Sequence, residues 1–144
     1  MRKIFFALMV LFCTLPLAAS NDDGTPITFS ELPQQAQQFV TKYFYNSEVK
    51  SVTKEMDDGR FEYTVRLNDL TKIEFNHEGE WKEISGSIDL TFADYLPENL
   101  VAYMTSKVSG RVAKIEKDDG KIEVSVGSVE YVFSKSGKFR YIDD

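Results

Sequence analysis

Residues 57–67 read Asp-Asp-Gly-Arg-Phe-Glu-Tyr-Thr-Val-Arg-Leu, and residues 118–126 read Asp-Asp-Gly-Lys-Ile-Glu-Val-Ser-Val. In both stretches an Asp-Gly pair leads into a segment in which apolar and polar residues alternate. Asp-Gly supplies the positive φ angles that a tight hairpin turn needs, and alternation with a period of two indicates a strand with one buried face. The two stretches therefore predict two β-hairpins of the same construction.

The similarity extends to both sides of the hairpins. Leu32-Pro33 and Leu96-Pro97 each precede a segment with helical apolar spacing, and they lie 64 residues apart. The segments Ile73-Glu74-Phe75 and Tyr131-Val132-Phe133, which read as later strands, lie 58 residues apart. A repeated order of elements indicates a duplicated supersecondary unit. Each unit is predicted to be one helix followed by a four-stranded antiparallel meander.

A sheet of this kind has one apolar face, which neither unit can bury alone. We therefore predict an α+β fold in which a tandem duplication forms one curved eight-stranded sheet with both helices on one face. A register fault is predicted between Trp81 and Ile84, where the alternation breaks. The predicted organisation is a signal peptide at 1–20, a flexible leader at 21–26, a first unit at 27–88 and a second unit at 89–144, the two units forming one joint domain.

The first twenty residues have the three regions of a cleavable signal peptide. A basic start precedes an apolar run over residues 4–15, which is shorter than the roughly 20 residues needed to span a bilayer. Small residues then favour cleavage after Ala19 or Ser20. The sequence thus predicts a periplasmic or secreted protein with no stable membrane insertion after cleavage.

Removal of the signal peptide changes the composition of the chain. Cys13 is its one cysteine, and Phe12 stands before it where a lipidation signal requires a small residue. Cleavage removes two basic residues, so 15 Lys and Arg face 23 Asp and Glu and the net charge falls from −6 to −8. Nucleic-acid-binding domains carry basic patches, so this acidity argues against a nucleic-acid partner.

The residues that carry catalysis or bind metals are few. His77 is the single histidine, and it lies in a predicted turn without a second metal ligand or an orienting partner. The two Asp-Asp-Gly segments lack the alternating ligand spacing of a calcium loop, and hairpin chemistry already accounts for them. The sequence predicts no enzyme activity, no cofactor and no metal site.

Most aromatic residues fall where a helix–sheet core is predicted. Tyr45 and Tyr95, at a helix end and in the link between the units, are the ones expected at the surface, where tyrosine often contributes to interfaces. The predicted core aromatics are Phe39, Tyr43, Phe44, Phe61, Tyr63, Phe75, Phe133 and Phe139.

The face of the sheet opposite the core is the predicted protein-binding surface. It carries mixed charges, which would otherwise form cross-strand ion pairs of small energetic value. Val132 is an apolar residue predicted on this face. The candidate binding residues are Glu62, Thr64, Arg66, Lys72, Glu74, Lys121, Glu123 and Glu130.

A signal peptide, tandem helix-plus-four-strand units, Leu-Pro at each helix start and Asp-Asp-Gly between the first two strands resemble the PepSY-like domain family of exported Gram-negative bacterial proteins. That family is also described as resembling the β-lactamase inhibitory protein. The resemblance covers residues 27–144 and implies a non-enzymatic binding or inhibitory module whose partner is another envelope protein. The alternative is a structural or assembly factor of the cell envelope that uses the edge strands or the junction of the units.

Overall fold

The computed structural model of the protein describes residues 24–108 and 111–144. Within these ranges the chain forms two α-helices, α1 (Gln34–Tyr43) and α2 (Glu98–Lys107), and nine β-strands. The strands are β1 (Thr25–Pro26), β2 (Val49–Asp57), β3 (Arg60–Leu67), β4 (Lys72–Phe75), β5 (Trp81–Asp89), β6 (Arg111–Asp118), β7 (Lys121–Val126), β8 (Val129–Ser134) and β9 (Phe139–Asp143). Neither helix of the described part is long and apolar enough to cross a membrane.

The strands form one antiparallel sheet in chain order from β1 to β9. The predicted α+β fold with two helices and an antiparallel meander is confirmed, and a helix followed by four strands occurs twice along the chain. The sheet has nine described strands rather than the predicted eight. Thr25 and Pro26, inside the predicted leader, pair with Lys54 and Thr53 of β2. The next residue continues the pairing, since the Ile27 N–H donates to the Val52 carbonyl at 2.9 Å.

The two Asp-Gly hairpin turns are confirmed. Asp58 and Gly59 have φ angles of 57° and 81°, and Asp119 and Gly120 have φ angles of 51° and 79°. Positive φ at both central residues matches the twist of the flanking strands, and aspartate tolerates this conformation better than most residues. The turns set the pairing of β2 with β3 and of β6 with β7.

Each helix start is contacted by a glycine turn. Gly79 and Gly137 have φ angles of 91° and 92°. A Cβ atom added at Gly79 would lie 2.9 Å from the Pro33 Cβ, and one added at Gly137 would lie 2.5 Å from the Pro97 Cβ. These glycines therefore permit a close approach between a strand turn and the first turn of a helix.

Both helices contribute side chains to one hydrophobic core. Ala36 and Val40 of α1 belong to the same buried cluster as Leu100 and Met104 of α2. The cluster also takes alternate residues from the strands, including Val65, Ile73, Phe75, Ile84, Ile115, Ile122, Val124 and Phe133.

The predicted register fault is confirmed in β5. Phe75 pairs with Trp81 and Glu74 pairs with Glu83, so Lys82 is an extra residue in the ladder. The bulge brings both Trp81 and Ile84 into the core, where they are 7% and 0% exposed. The pairing of β8 with β9 has a similar register shift, between Val132 and Phe133.

The aromatic predictions hold with two corrections. Phe75 and Phe133 are fully buried, and five other predicted aromatics are partly buried. Phe61 is 37% exposed, because it lies beside the β2–β3 turn. Its ring contacts the Lys54 ammonium, which lies 4.4 Å from the ring centroid. Tyr45 is 75% exposed as expected, but Tyr95 packs against the core instead.

Candidate binding surface on the polar face of the sheet

The polar face is the side of the sheet that carries Glu62, Thr64 and Arg66, which alternate along β3 with the core residues Tyr63 and Val65. Strand register decides which of its side chains are neighbours. Thr64 pairs with Glu74, and the same line of pairs continues into the next strands. The face can therefore be described in rows that run across the strands.

Four glutamates occupy one such row. Glu74 pairs with Glu83, Glu83 pairs with Glu116, and Glu116 pairs with Glu123. We call these four residues, on β4 to β7, the acidic row. Neighbouring strands lie about 4.8 Å apart, and like charges directly opposite each other destabilise a sheet. The row needs compensation from cations close by.

Two lysines supply part of that compensation. Each lies two residues from a glutamate of the row, on the same strand and the same face. The Lys72 ammonium lies 2.6 Å from the Glu74 carboxylate and 3.7 Å from the Glu83 carboxylate. The Lys114 ammonium lies 3.0 Å from Glu116 and 3.7 Å from Glu83. Its hydrogen bond to Glu116 raises the pKa of Lys114, which keeps the ammonium charged. Glu83 is thus held between two lysines from opposite sides.

Two further lysines flank the acidic row on its other side. Lys82, the extra residue of the β5 bulge, donates a hydrogen bond of 2.8 Å to Glu62. Partial burial opposes the charge of Lys82, but the Glu62 hydrogen bond and carboxylate raise its pKa overall. Lys121 lies 3.6 Å from Glu123. The acidic row is therefore bordered by lysines along both sides.

The carboxylates near the centre of the surface are closely surrounded. The Glu83 side chain is 19% exposed and the Glu123 side chain is 15% exposed. Burial raises the pKa of Glu123, the negative charge of Glu130 acts in the same direction, and Lys121 partly offsets both. A partner with cationic groups would relieve part of this repulsion.

The eight residues predicted from the sequence all lie on strands of the described chain, but they fall into three groups. Thr64, Glu74 and Glu123 belong to the line of pairs that contains the acidic row. The adjoining line contains Arg66, which pairs with Lys72, and Glu130, which pairs with Ser125. The remaining two, Glu62 and Lys121, lie on the flank.

The residues that connect these groups were missed. They lie on the two central strands, β5 and β6: Lys82, Glu83, Lys114 and Glu116. Because Lys82 is an extra residue in β5, alternation along this strand does not predict the face on which Glu83 lies. Lys114 and Glu116 of β6 could have been predicted on the polar face, because they alternate with the apolar Ile115.

Val132 is an unusual member of the polar face. It pairs with Glu123 and Tyr141 and is only 1% exposed. It is a buried hydrophobic residue that does not belong to the main core cluster. Val132 and its pair partner Tyr141 are thus the apolar residues in the line of pairs that contains the acidic row.

The polar groups that this surface presents are mainly carboxylates and ammonium groups. No group of three or more His, Cys, Asp or Glu side chains in the described ranges is placed to hold a metal ion. His77 lies in an exposed turn, with its Nε2 atom 3.6 Å from the Glu78 carboxylate. The ordered rows of opposite charge are suited to matching a partner of complementary pattern.

Comparison with known proteins identifies the family. The family model described as "Putative beta-lactamase-inhibitor-like, PepSY-like" matches residues 61–141. This match covers more than half of the chain, which therefore belongs to the PepSY-like family. No curated protein matches the chain at a significant level.

Three solved structures from Bacteroides share the fold. A "putative calcium-regulated periplasmic protein" from Bacteroides thetaiotaomicron is 29% identical, with a TM-score of 0.72 over 83% of this chain and 96% of that chain. A "putative periplasmic protein from DUF2874 family" from Bacteroides vulgatus is 27% identical, with a TM-score of 0.72 over 87% of this chain and 100% of that chain. A second Bacteroides vulgatus protein, "a putative periplasmic protein of unknown function", is 29% identical, with a TM-score of 0.68 over 81% of this chain and 95% of that chain.

Proposed function

We propose that this chain is an exported, non-enzymatic module that binds, and in doing so inhibits or sequesters, another protein of the cell envelope through the polar face. The acidic row with its flanking lysines is the observation that carries the proposal. Its partner is a protein that presents basic side chains to the four glutamates and acidic side chains to the lysines. Such matched patterns favour fast association and reject partners of the wrong pattern.

The proposed architecture leaves this surface accessible. The proposal places both helices on the core side of the sheet, a placement supported by the shared cluster of α1 and α2 side chains. It treats 27–88 and 89–144 as duplicated units of one joint domain, supported by the pairing of β5 with β6. The opposite face would then have only solvent or a partner above it.

Export is part of the same proposal. The three related structures are described as periplasmic proteins, and the first twenty residues have the pattern of a signal peptide with a cut after Ala19 or Ser20. The family description, inhibitor-like, is consistent with binding to a protein. The assembly-factor alternative would instead use the free edges at β1 and β9 or the β5–β6 junction.

Capture from an envelope extract tests the proposal. The bait is the purified protein, and the matched variants are Glu83→Gln with Glu116→Gln on the polar face and Glu78→Gln with Glu98→Gln outside it. Both pairs remove two carboxylates and keep the side-chain shape. We expect the first pair to slow association with the captured partner roughly three- to tenfold at low ionic strength and the second pair to change it little.

The identity of the captured protein separates the two roles. A soluble enzyme whose activity falls on binding supports inhibition, and components of envelope assembly support the alternative. Equal binding by the two variant pairs would show that the partner uses another surface.

A further inference from the structure

A groove beside Trp81 has the properties of a second binding site. Two adjoining cavities, of about 600 Å³ and about 590 Å³, share the lining residues Glu80, Trp81, Tyr95, Lys117 and Lys135. We call the space bounded by these five residues the Trp81 groove. It contains no residue of the acidic row, although Lys121, on the flank of the polar face, also lines the second cavity. Its size is that of a typical small-molecule site.

One wall of the groove is aromatic. The rings of Trp81 and Tyr95 have centroids 5.8 Å apart, and Phe39 lies 6.3 Å from Trp81 and 5.4 Å from Tyr95. Burial raises the pKa of the Tyr95 hydroxyl, so it stays protonated as a potential donor. That hydroxyl makes no hydrogen bond to any other described residue. The wall offers apolar contact together with a polar group.

The lysines of the groove differ from those of the polar face. The Lys117 ammonium lies 4.3 Å from the centroid of the Trp81 ring. Within residues 24–108 and 111–144, neither Lys117 nor Lys135 forms an ion pair with a carboxylate. Partial desolvation lowers the pKa of Lys117, with Lys135 acting in the same direction and Glu80 opposing both.

The charge balance of the groove limits the kind of ligand. The larger cavity is lined by Lys42, Lys117 and Lys135 and by two carboxylates, Glu80 and Asp94. Three positive and two negative charges leave one positive charge in this cavity, which matches a single acid group. The second cavity adds Asp118, Asp119 and Lys121 and has no net charge, so the acid group is expected at the Lys42 end of the groove. The aromatic wall favours an apolar body attached to that group.

We propose that the Trp81 groove binds a small organic monoanion, with its acid group between Lys117 and Lys135 and its apolar body against Tyr95 and Phe39. Binding of such a ligand satisfies both ammonium groups with charge-assisted hydrogen bonds. It also removes apolar surface of the ligand and of the aromatic wall from water. This proposal is independent of the polar face and of its protein partner.

The fluorescent sulfonate 8-anilinonaphthalene-1-sulfonate is a suitable probe, because it is a monoanion with an apolar body. Trp81 is the single tryptophan of the chain, so energy transfer from tryptophan to the bound probe reports binding near the groove. The neutral analogue N-phenyl-1-naphthylamine has nearly the same shape without the acid group. We expect saturable binding of the sulfonate with efficient transfer from Trp81.

Substitution tests the role of the two lysines. The variant Lys117→Gln with Lys135→Gln should weaken sulfonate binding by about tenfold, equivalent to about 1.4 kcal/mol at 25 °C, and leave binding of the neutral analogue unchanged. Lys54→Gln is the matched control, because Lys54 also lies over an aromatic ring, at 4.4 Å from the Phe61 centroid, but lines none of the cavities described above. Its affinity for the sulfonate should equal that of the wild type.

Several results would overturn the proposal. It fails if the wild type does not bind the sulfonate, if the lysine double variant binds it as tightly as the wild type, or if Lys54→Gln loses affinity to the same degree. Equal weakening of the neutral analogue would also count against an anion site. Thermal unfolding of each variant shows whether the fold is intact, and Lys135→Gln alone, at an exposed turn, provides a milder variant with an expected loss of a few fold.

Discussion

Gly137→Ala should destabilise the protein strongly, because two separate costs act at this position. The residue has a φ angle of 92°, and an added Cβ would lie 2.5 Å from the Pro97 Cβ and still closer to the Asn99 side chain. Backbone strain of this kind costs about 1–3 kcal/mol, and overpacking against a helix start adds about 1–3 kcal/mol. We expect the free energy of unfolding to fall by about 2–6 kcal/mol.

Gly120→Ala is the matched control in the same half of the chain. Gly120 has a φ angle of 79°, but an added Cβ would meet nothing within 4 Å. Its cost is the conformational one alone, about 1 kcal/mol. The same comparison exists in the first half, where Gly79 approaches Pro33 and Gly59, with a φ angle of 81°, has open space around its Cβ position.

Urea denaturation followed by the fluorescence of Trp81 gives the four free energies of unfolding. At roughly 4 °C per kcal/mol for a domain of this size, the gap between Gly137→Ala and Gly120→Ala should also appear as a difference of roughly 4 °C or more in Tm. Equal losses at Gly137 and Gly120 would refute the reasoning, because the close approach to the helix would then have no energetic role. A loss at Gly137 without one at Gly79 would show that the two glycine turns are not equivalent.

Three further outcomes are expected. Phe61→Ala should cost about 1–2 kcal/mol in urea denaturation, against about 3–5 kcal/mol for the fully buried Phe133→Ala; equal costs would mean that Phe61 is buried in solution. The backbone N–H and hydroxyl of Thr91 lower the pKa of Asp89, so its charge stabilises the fold above about pH 4 and this contribution disappears as the pH falls through the lowered pKa. A Tm difference between the wild type and Asp89→Asn should therefore vanish in acid, and a difference that grows there would contradict the assignment. Calcium at about 1 mM should leave Tm unchanged, because each glutamate of the acidic row already has a lysine ammonium within 4 Å, whereas a bound ion would raise it.

The elements that follow from local chemistry were predictable from the sequence. The Asp-Gly turns need positive φ at fixed positions, and the helices follow from apolar spacing after Leu32-Pro33 and Leu96-Pro97. The additional strand, β1, was not predictable, because Thr25 and Pro26 form no alternating pattern of their own. Their strand exists only through pairing with Lys54 and Thr53.

The candidate site was predictable in part, for a reason that lies in sheet geometry. Alternation within one strand predicts which face a side chain occupies, and it therefore predicts Glu74 and Glu123 on the polar face. It does not tell which residue of the next strand lies opposite. That relation depends on the bulge at Lys82 and on the pairing of Glu83 with Glu116, so the acidic row is not visible in the sequence. The Trp81 groove is not predictable from the sequence for a similar reason, since its residues come from turns, a link and two different strands.

Both candidate surfaces are created where β5 pairs with β6. Glu74 and Glu83 belong to the first set of helix and four strands, and Glu116 and Glu123 belong to the second, so either set alone would carry only half of the acidic row. The direct opposition of Glu83 and Glu116 would weaken this junction if it were not compensated. Lys72 from the first set and Lys114 from the second both reach Glu83 at 3.7 Å. Lys114, which reaches across the junction to Glu83, therefore also shapes the surface that a partner would meet.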